Sequence, residues 1–176
     1  MTGPRRARWV LVVLMALTAT LSGCGLRGEP LAREGATVFA VGDCVAIPDQ
    51  GPGNGALKAT KAGCSADPSY TVGAITDTSG SCPSNEYQHL PTQFADPSTS
   101  RLCLVPNLVA EHCYVLDMPI GVVKLANCTD RRQAGLLVQV TQRLDVRDQK
   151  ACPSDVGQFA WPYPSPPRTY CTLTIY

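Results

Sequence analysis

The sequence predicts an α+β fold, mainly β, built as two tandem disulfide-stapled repeats of short antiparallel strands with a short helix in each. Three observations predict it. Cysteines beyond residue 24 fall into two series of four, Cys44, Cys64, Cys82, Cys103 and Cys113, Cys128, Cys152, Cys171, spaced 20, 18 and 21 residues apart against 15, 24 and 19. Short segments recur around them in the same order, which is the signature of a duplication. Between them, apolar and polar residues alternate with the two-residue period of a half-buried strand.

Each repeat opens with a strand carrying its first cysteine, VFAVGDCV at 38–45 and LVAEHCYV at 108–115. A turn follows, centred near Gly51-Pro52-Gly53-Asn54-Gly55 in one repeat and Pro119-Ile120-Gly121 in the other, because Gly and Pro supply the backbone angles that reverse a chain. The return strands are LKATKAGC at 57–64 and VVKLANC at 122–128, each with a Lys ahead of its cysteine. Next come the β-rich runs YTVGAITD at 70–77 and LLVQVTQRLDV at 136–146. In the second, Leu136, Val138, Val140, Gln142, Leu144 and Val146 alternate with a series that is largely Gln139, Thr141, Arg143, Asp145 and Arg147, so one face is predicted to meet the core and the other water.

The Cys-Pro steps at Cys82-Pro83 and Cys152-Pro153 open the polar segments Pro83-Ser84-Asn85-Glu86 and Pro153-Ser154-Asp155-Val156. A short helix is predicted at each, since Pro suits a first helical position and an acid near the start complements the dipole. Proline density makes loops of residues 91–100 and of Trp161-Pro162-Tyr163-Pro164-Ser165-Pro166-Pro167. Each repeat closes on a strand with a central cysteine, RLCLV at 101–105 and TYCTL at 169–173. In the latter, Cys171, Leu173 and Ile175 are predicted to face inward and Tyr170, Thr172, Thr174 and Tyr176 outward.

Ahead of the repeats stands an export leader. Arg5, Arg6 and Arg8 precede an apolar run at 9–20, which has the length of a signal-peptide core and is too short to span a bilayer. Leu21-Ser22-Gly23-Cys24 then matches a bacterial lipobox, in which the cysteine thiol takes a diacylglyceryl group. The expected organisation is a lipoprotein signal peptide over 1–23, a lipid anchor and tether over 24–37, repeat one over 38–107 and repeat two over 108–176. The expected location is the extracytoplasmic face of the cell membrane, held through two or more acyl chains on Cys24, since one chain alone binds only marginally.

Export decides how the other eight cysteines read. An even number outside the cytoplasm implies disulfides. Zinc needs close-set ligand pairs, and the nearest two, Cys103 and Cys113, stand ten residues apart with only His89 and His112 to help. The lack of a CxxC also argues against a thioredoxin-like redox site. Cys44 with Cys64 and Cys113 with Cys128 flank the turns, so each pair can staple the open end of a hairpin. Cys82 with Cys103 and Cys152 with Cys171 are then left for one another. Eight cysteines allow on the order of a hundred pairings, so this set rests on the repeat and the hairpins alone. A bridge closing about 20 residues contributes roughly 3 kcal/mol in the chain-entropy model, against roughly 3–5 kcal/mol net for a core of about 65 residues. The staples therefore rival each core, and unprotected strand edges predict that the two sheets pack or pair.

Fifteen basic residues stand against fourteen acidic ones, and the three Arg of the leader reduce the former to twelve. This near-neutral chain lacks the basic footprint of a nucleic-acid partner. Val41-Gly42-Asp43-Cys44-Val45, Lys58-Ala59-Thr60-Lys61-Ala62-Gly63-Cys64, Cys82-Pro83-Ser84 and Leu102-Cys103-Leu104, with the second cysteine series through Cys171, resemble the LppU-type lipoproteins of mycobacteria and other actinobacteria. The resemblance covers the lipobox and nearly all of the chain beyond it. It implies an envelope lipoprotein with intramolecular disulfides and transfers no activity. Glu111-His112-Cys113 departs from the Gly-Asp-Cys pattern, which leaves repeat one the clearer match.

No Gly-x-Ser-x-Gly, His-Glu-x-x-His, Ser-x-x-Lys or phosphate-cradling glycine motif is present in the sequence. His112 stands beside a bridged Cys113 and has no separate nucleophile to serve. Asp43 and Asp77 sit at strand ends, where Asp satisfies turn backbone. The expected function is a non-catalytic binding or interaction module, without cofactor or metal, whose partner beyond the membrane is an envelope protein or a small ligand. Its candidate contact residues are Trp161 and Tyr163, with Tyr170 and Tyr176 beside them, because aromatic residues near Pro-rich loops give contact area at small entropic cost. The other reading of Trp161 is a plug in the core of repeat two. The alternative function is an envelope hydrolase or transferase, which a deep pocket with converging polar groups would favour.

Overall fold

The computed structural model describes residues 38–48, 55–77, 80–117, 121–132 and 134–176. The expected leader, Cys24 and the tether lie outside them, as do most of the turn residues at 51–54 and 118–120. Among the described residues ten strands form two five-stranded antiparallel sheets. In the first half, β1 (Cys44–Ala46), β2 (Thr60–Lys61), β3 (Ser69–Ile75), β4 (Gln88–His89) and β5 (Leu102–Asn107) lie in the order β2-β1-β3-β5-β4. In the second, β6 (Cys113–Asp117), β7 (Val122–Ala126), β8 (Leu136–Leu144), β9 (Gln158–Pro164) and β10 (Pro167–Thr174) lie in the order β7-β6-β8-β10-β9, the same order advanced by five strands.

Finer features repeat with the topology. Gly73 is an extra residue in β3 between the pairs Val72↔Leu104 and Ala74↔Cys103, and Thr141 is an extra residue in β8 between Val140↔Thr172 and Gln142↔Cys171. Each bulge thus sits opposite the step next to the fourth cysteine of its half. The four disulfides are Cys44–Cys64, Cys82–Cys103, Cys113–Cys128 and Cys152–Cys171, with Cα separations of 5.1 to 5.7 Å, distances a disulfide spans without moving the backbone. They are the pairs reached from the hairpin spacing.

The expected helices are absent, and the fold is nearly all β. After Cys82-Pro83 the Ser84 hydroxyl accepts the Glu86 backbone N–H at 3.2 Å, a local bond that competes with helix formation, and β4 begins two residues later. After Cys152-Pro153 the Asp155 carbonyl accepts from Gln158 N at 3.0 Å across Gly157, whose φ is 80°. Such short segments cannot repay helix nucleation before the chain is claimed by a strand. The helical pieces among the described residues are two three-residue 3-10 turns, Thr99–Arg101 and Gln149–Ala151. Asp148 caps the second, accepting from Lys150 N at 2.9 Å, and ahead of the first Asp96 accepts from Thr99 N at 2.7 Å.

The Pro-rich run from Trp161 is also corrected, from loop to strand. β9 is an edge strand that pairs only with β10, placing Pro164 opposite Pro167 and Pro162 opposite Thr169. Neither member of a Pro–Pro pair can donate, so that pair is of the non-hydrogen-bonded kind, and the alternation of antiparallel pairs gives Pro162 the same outward orientation. Both prolines therefore spend their missing N–H on the edge that no strand pairs with, the position where a sheet tolerates them.

β10 differs from its expected two-faced pattern as well. It lies between β8 and β9, and Tyr170, Cys171, Thr172 and Thr174 are all buried. The reason is a single core that serves both halves: Val45, Tyr70, Val72 and Leu104 of the first and Tyr114, Val122, Val138, Val140 and Tyr170 of the second belong to one buried cluster. At roughly 1.5–3 kcal/mol for each large apolar side chain removed from water, this shared burial outweighs any surface contact between the halves. A smaller cluster, Cys113, Val115 and Leu137 with Ile175 packed on it, covers the other face of the second sheet, so the predicted solvent face of β8 is partly roofed.

Polar groups also cross between the halves. Arg168, 7% exposed, donates from Nη1 to Asn107 Oδ1 at 2.6 Å and Pro106 O at 3.2 Å. Tyr170 Oη donates to Pro106 O at 2.7 Å and accepts from Leu108 N at 3.0 Å. At Gly73 the halves approach closely: a Cβ there would overlap the Ser165 carbonyl and the Tyr87 ring. No helix among the described residues is long and apolar enough to cross a membrane.

Candidate functional site

Strand alternation aims Trp161 and Tyr163 from one face of β9 toward the first half. There the turn before β4 supplies Tyr87, and β4 itself supplies Gln88. Together with Leu116 of β6, Val123 of β7, Gly121 and Glu86 they line a cavity of about 230 Å³. Two bonds fix its floor by joining the edge of β7 to the first half: Val123 N donates to Tyr70 Oη at 2.9 Å, and Gln88 Nε2 donates to Gly121 O. Tyr163 packs edge-on against Tyr170 with ring centroids 6.1 Å apart.

A second, larger cavity of about 800 Å³ adjoins the first at Glu86, which lines both. Its other walls are Arg147, Asp148, Gln149, Lys150, Cys152, Ser154 and Pro162. Glu86 holds Arg147 across the halves in a two-pronged pair, 2.8 Å to Nε and 3.0 Å to Nη2. Asp148 is engaged by the Lys150 backbone. The lining thus carries two cations and two carboxylates, and its charge balances.

The four candidate aromatics do not act alike. Trp161 is half-buried, packs on the shared core and still lines the inner cavity. Tyr163 is 7% exposed and Tyr170 fully buried, which corrects the expectation that both present their rings to solvent, whereas Tyr176 is 87% exposed and lines neither cavity. Burial raises the Tyr163 phenol well above its ordinary range, with the neighbouring Tyr170 and Tyr70 phenols adding to the effect.

A separate polar constellation went unrecognised in the sequence. Asp67, just ahead of β3, reaches His112 Nδ1 at 2.6 Å with Oδ2 and accepts from Tyr114 Oη at 2.5 Å with Oδ1. Val109 N donates to Tyr114 Oη at 2.8 Å. Desolvation pushes the Tyr114 phenol upward, and the Asp67 bond adds to it. The i, i+2 spacing of His112 and Tyr114 signals one shared strand face, but nothing local signals a partner 45 residues away in the other half. His89 packs inside the first half, with Nε2 2.7 Å from Ser100 O. Asp43 does serve a turn, accepting from Ala40 N at 2.8 Å, and that bond, with Lys61 beside it, lowers its pKa. Among the described residues no three His, Cys, Asp or Glu side chains gather around a metal-sized point. Compared with known proteins, the chain matches no family model, no curated protein and no solved structure.

Proposed function

We propose that the chain is an exported envelope lipoprotein of LppU type, anchored through Cys24, whose disulfide-stapled β domain works as a non-catalytic binding module. Its ligand seat is the pair of cavities between the halves. One observation carries this reading: Trp161, a contact residue expected from sequence, lines a cavity to which both halves contribute. The outer cavity is no smooth surface, yet one of its two carboxylates, Glu86, is held by Arg147 and serves the frame.

Trp161 is the only tryptophan beyond Trp9, so in residues 25–176 it reports on its own site. Titrating that protein with fractions of an envelope extract should give a saturable change in tryptophan fluorescence that Tyr87→Ala abolishes. If no fraction moves the signal, the cavity is not a ligand seat. For the anchor, Cys24→Ala should leave the protein unprocessed or release it from membranes; partitioning into detergent unchanged from the wild type would contradict lipidation. The enzyme reading retains one favourable observation, the half-exposed His112 held by Asp67, because a carboxylate on Nδ1 leaves Nε2 free to take a proton. Ester or glycoside hydrolysis by the oxidised protein, lost in His112→Ala, would replace the binding module with that reading.

A further inference from the structure

Among the described residues the buried phenols are bonded with two exceptions, Tyr87 and Tyr163, and both line the inner cavity. Tyr70 Oη meets Val123 N, Tyr114 Oη meets Asp67 and Val109 N, and Tyr170 Oη meets Pro106 O and Leu108 N. Tyr163, though more than nine-tenths buried, makes no hydrogen bond through its hydroxyl to any described residue. The hydroxyl is not sealed in protein either, being absent from the few fully enclosed polar atoms without partners. It belongs to a residue lining the inner cavity, whose other walls are largely apolar. A buried polar group is normally satisfied, so this one lacks an acceptor that the protein does not provide.

The two volumes divide the task of recognition. Small-molecule sites run to about 300–1,000 Å³, so the inner cavity at about 230 Å³ takes part of a ligand and the outer one at about 800 Å³ takes the rest. Among the described residues no cation lines the inner cavity and Glu86 does, so a carboxylate there would meet a like charge. A neutral carbonyl can accept from Tyr163 while its hydrocarbon lies along Leu116, Val123 and Trp161. The outer lining selects against an ion by its balanced charge. It offers donors in Arg147 and Lys150, an acceptor in Asp148, and groups that do both in Gln149 and Ser154, which is the complement of a hydroxyl-rich head.

Building on the binding reading above, we propose that the paired cavities hold an acylated polyol, with its ester carbonyl on Tyr163 Oη and its hydroxyls in the outer cavity. The probe is 6-O-octanoyl-glucose below its micelle concentration, titrated calorimetrically into residues 25–176. Saturable binding is expected. Tyr163→Phe should weaken it about tenfold, the value of one hydrogen bond in a dry site, and leave octyl glucoside, which lacks the carbonyl, unchanged. Leu116→Trp, which fills the inner cavity, should abolish both while the melting temperature confirms folding. Equal binding of ester and glucoside with no effect of Tyr163→Phe overturns the carbonyl assignment. Octanoyl-glycerol phosphate binding tenfold more tightly than the glucose ester overturns the polyol head. If octanoyl-glucose fails while an envelope fraction still moves the Trp161 fluorescence, the ligand class falls and the binding module stands; if neither acts, both fall.

Discussion

Arg168 carries a full charge into the space between the sheets without a buried carboxylate to meet it. Among the described residues its Nε has no hydrogen-bond partner, and the acid that faces it, Asp145 Oδ1, is 4.0 Å away on a side chain 81% exposed. Removing the guanidinium strands little: Asn107 Oδ1 keeps Thr71 Oγ1 at 2.9 Å, and Pro106 O keeps Tyr170 Oη. Removing the Tyr170 hydroxyl instead orphans the buried Leu108 N–H. Arg168→Met is therefore expected to cost about 1 kcal/mol or less, and Tyr170→Phe about 1–3 kcal/mol, in urea unfolding; the reverse ranking would contradict these assignments. The phenols set the alkaline limit. Burial raises Tyr70 from 10.0 to about 12, with Tyr114 and Tyr163 pushed the same way. Their folded forms hold the proton more tightly than the unfolded chain does, so this stability is complete below pH 10 and drains away as pH rises through the folded value. The urea midpoint should fall between about pH 10 and 12, less steeply in Tyr70→Phe, and a flat profile there would count against burial of these hydroxyls.

At the level of elements, the β3 bulge is a tight joint. Gly73→Ala would press a methyl into the Ser165 carbonyl, which is backbone and cannot swing aside, so a loss on the order of 3 kcal/mol is expected. Gly63→Ala is the control, since its nearest neighbour would be Ser65 Oγ at 3.8 Å; equal melting temperatures for the two variants would refute the close approach. Hairpins were legible in the chain because turn residues, cysteines and alternation all lie within some twenty positions of each other. The helices were misread because Pro-Ser-Asn-Glu and Pro-Ser-Asp-Val satisfy the rules for a helix start and equally those for a turn; what decides between them is how soon the next strand is claimed. β9 was misread because the rule against proline in strands depends on which edge is free, and that is fixed by strand order. Trp161 could be picked out for its chemistry, but the cavity around it needed Tyr87 and Val123 from remote parts of the chain.

For the whole molecule the decisive fact is that neither sheet owns the core. Residues 38–107 alone would expose Val45, Tyr70, Val72 and Leu104, and residues 108–176 alone would expose Tyr114, Val138 and Val140. The intact oxidised domain should unfold in one cooperative step, while the halves made separately in an oxidising compartment should give poorly dispersed amide spectra. Two well-dispersed halves, each as stable as the whole, would show the shared core to be energetically idle. Sheet margins are guarded at the same scale. β2 and β4 are two residues each, β7 gives its Val123 N–H to Tyr70, and β9 turns Pro162 and Pro164 outward. A strand from another molecule laid along β9 would find a ladder with rungs missing at both prolines. Neighbours can therefore crowd side by side without knitting into a continuous ribbon, a tolerance that matters most to molecules held at high density on a surface.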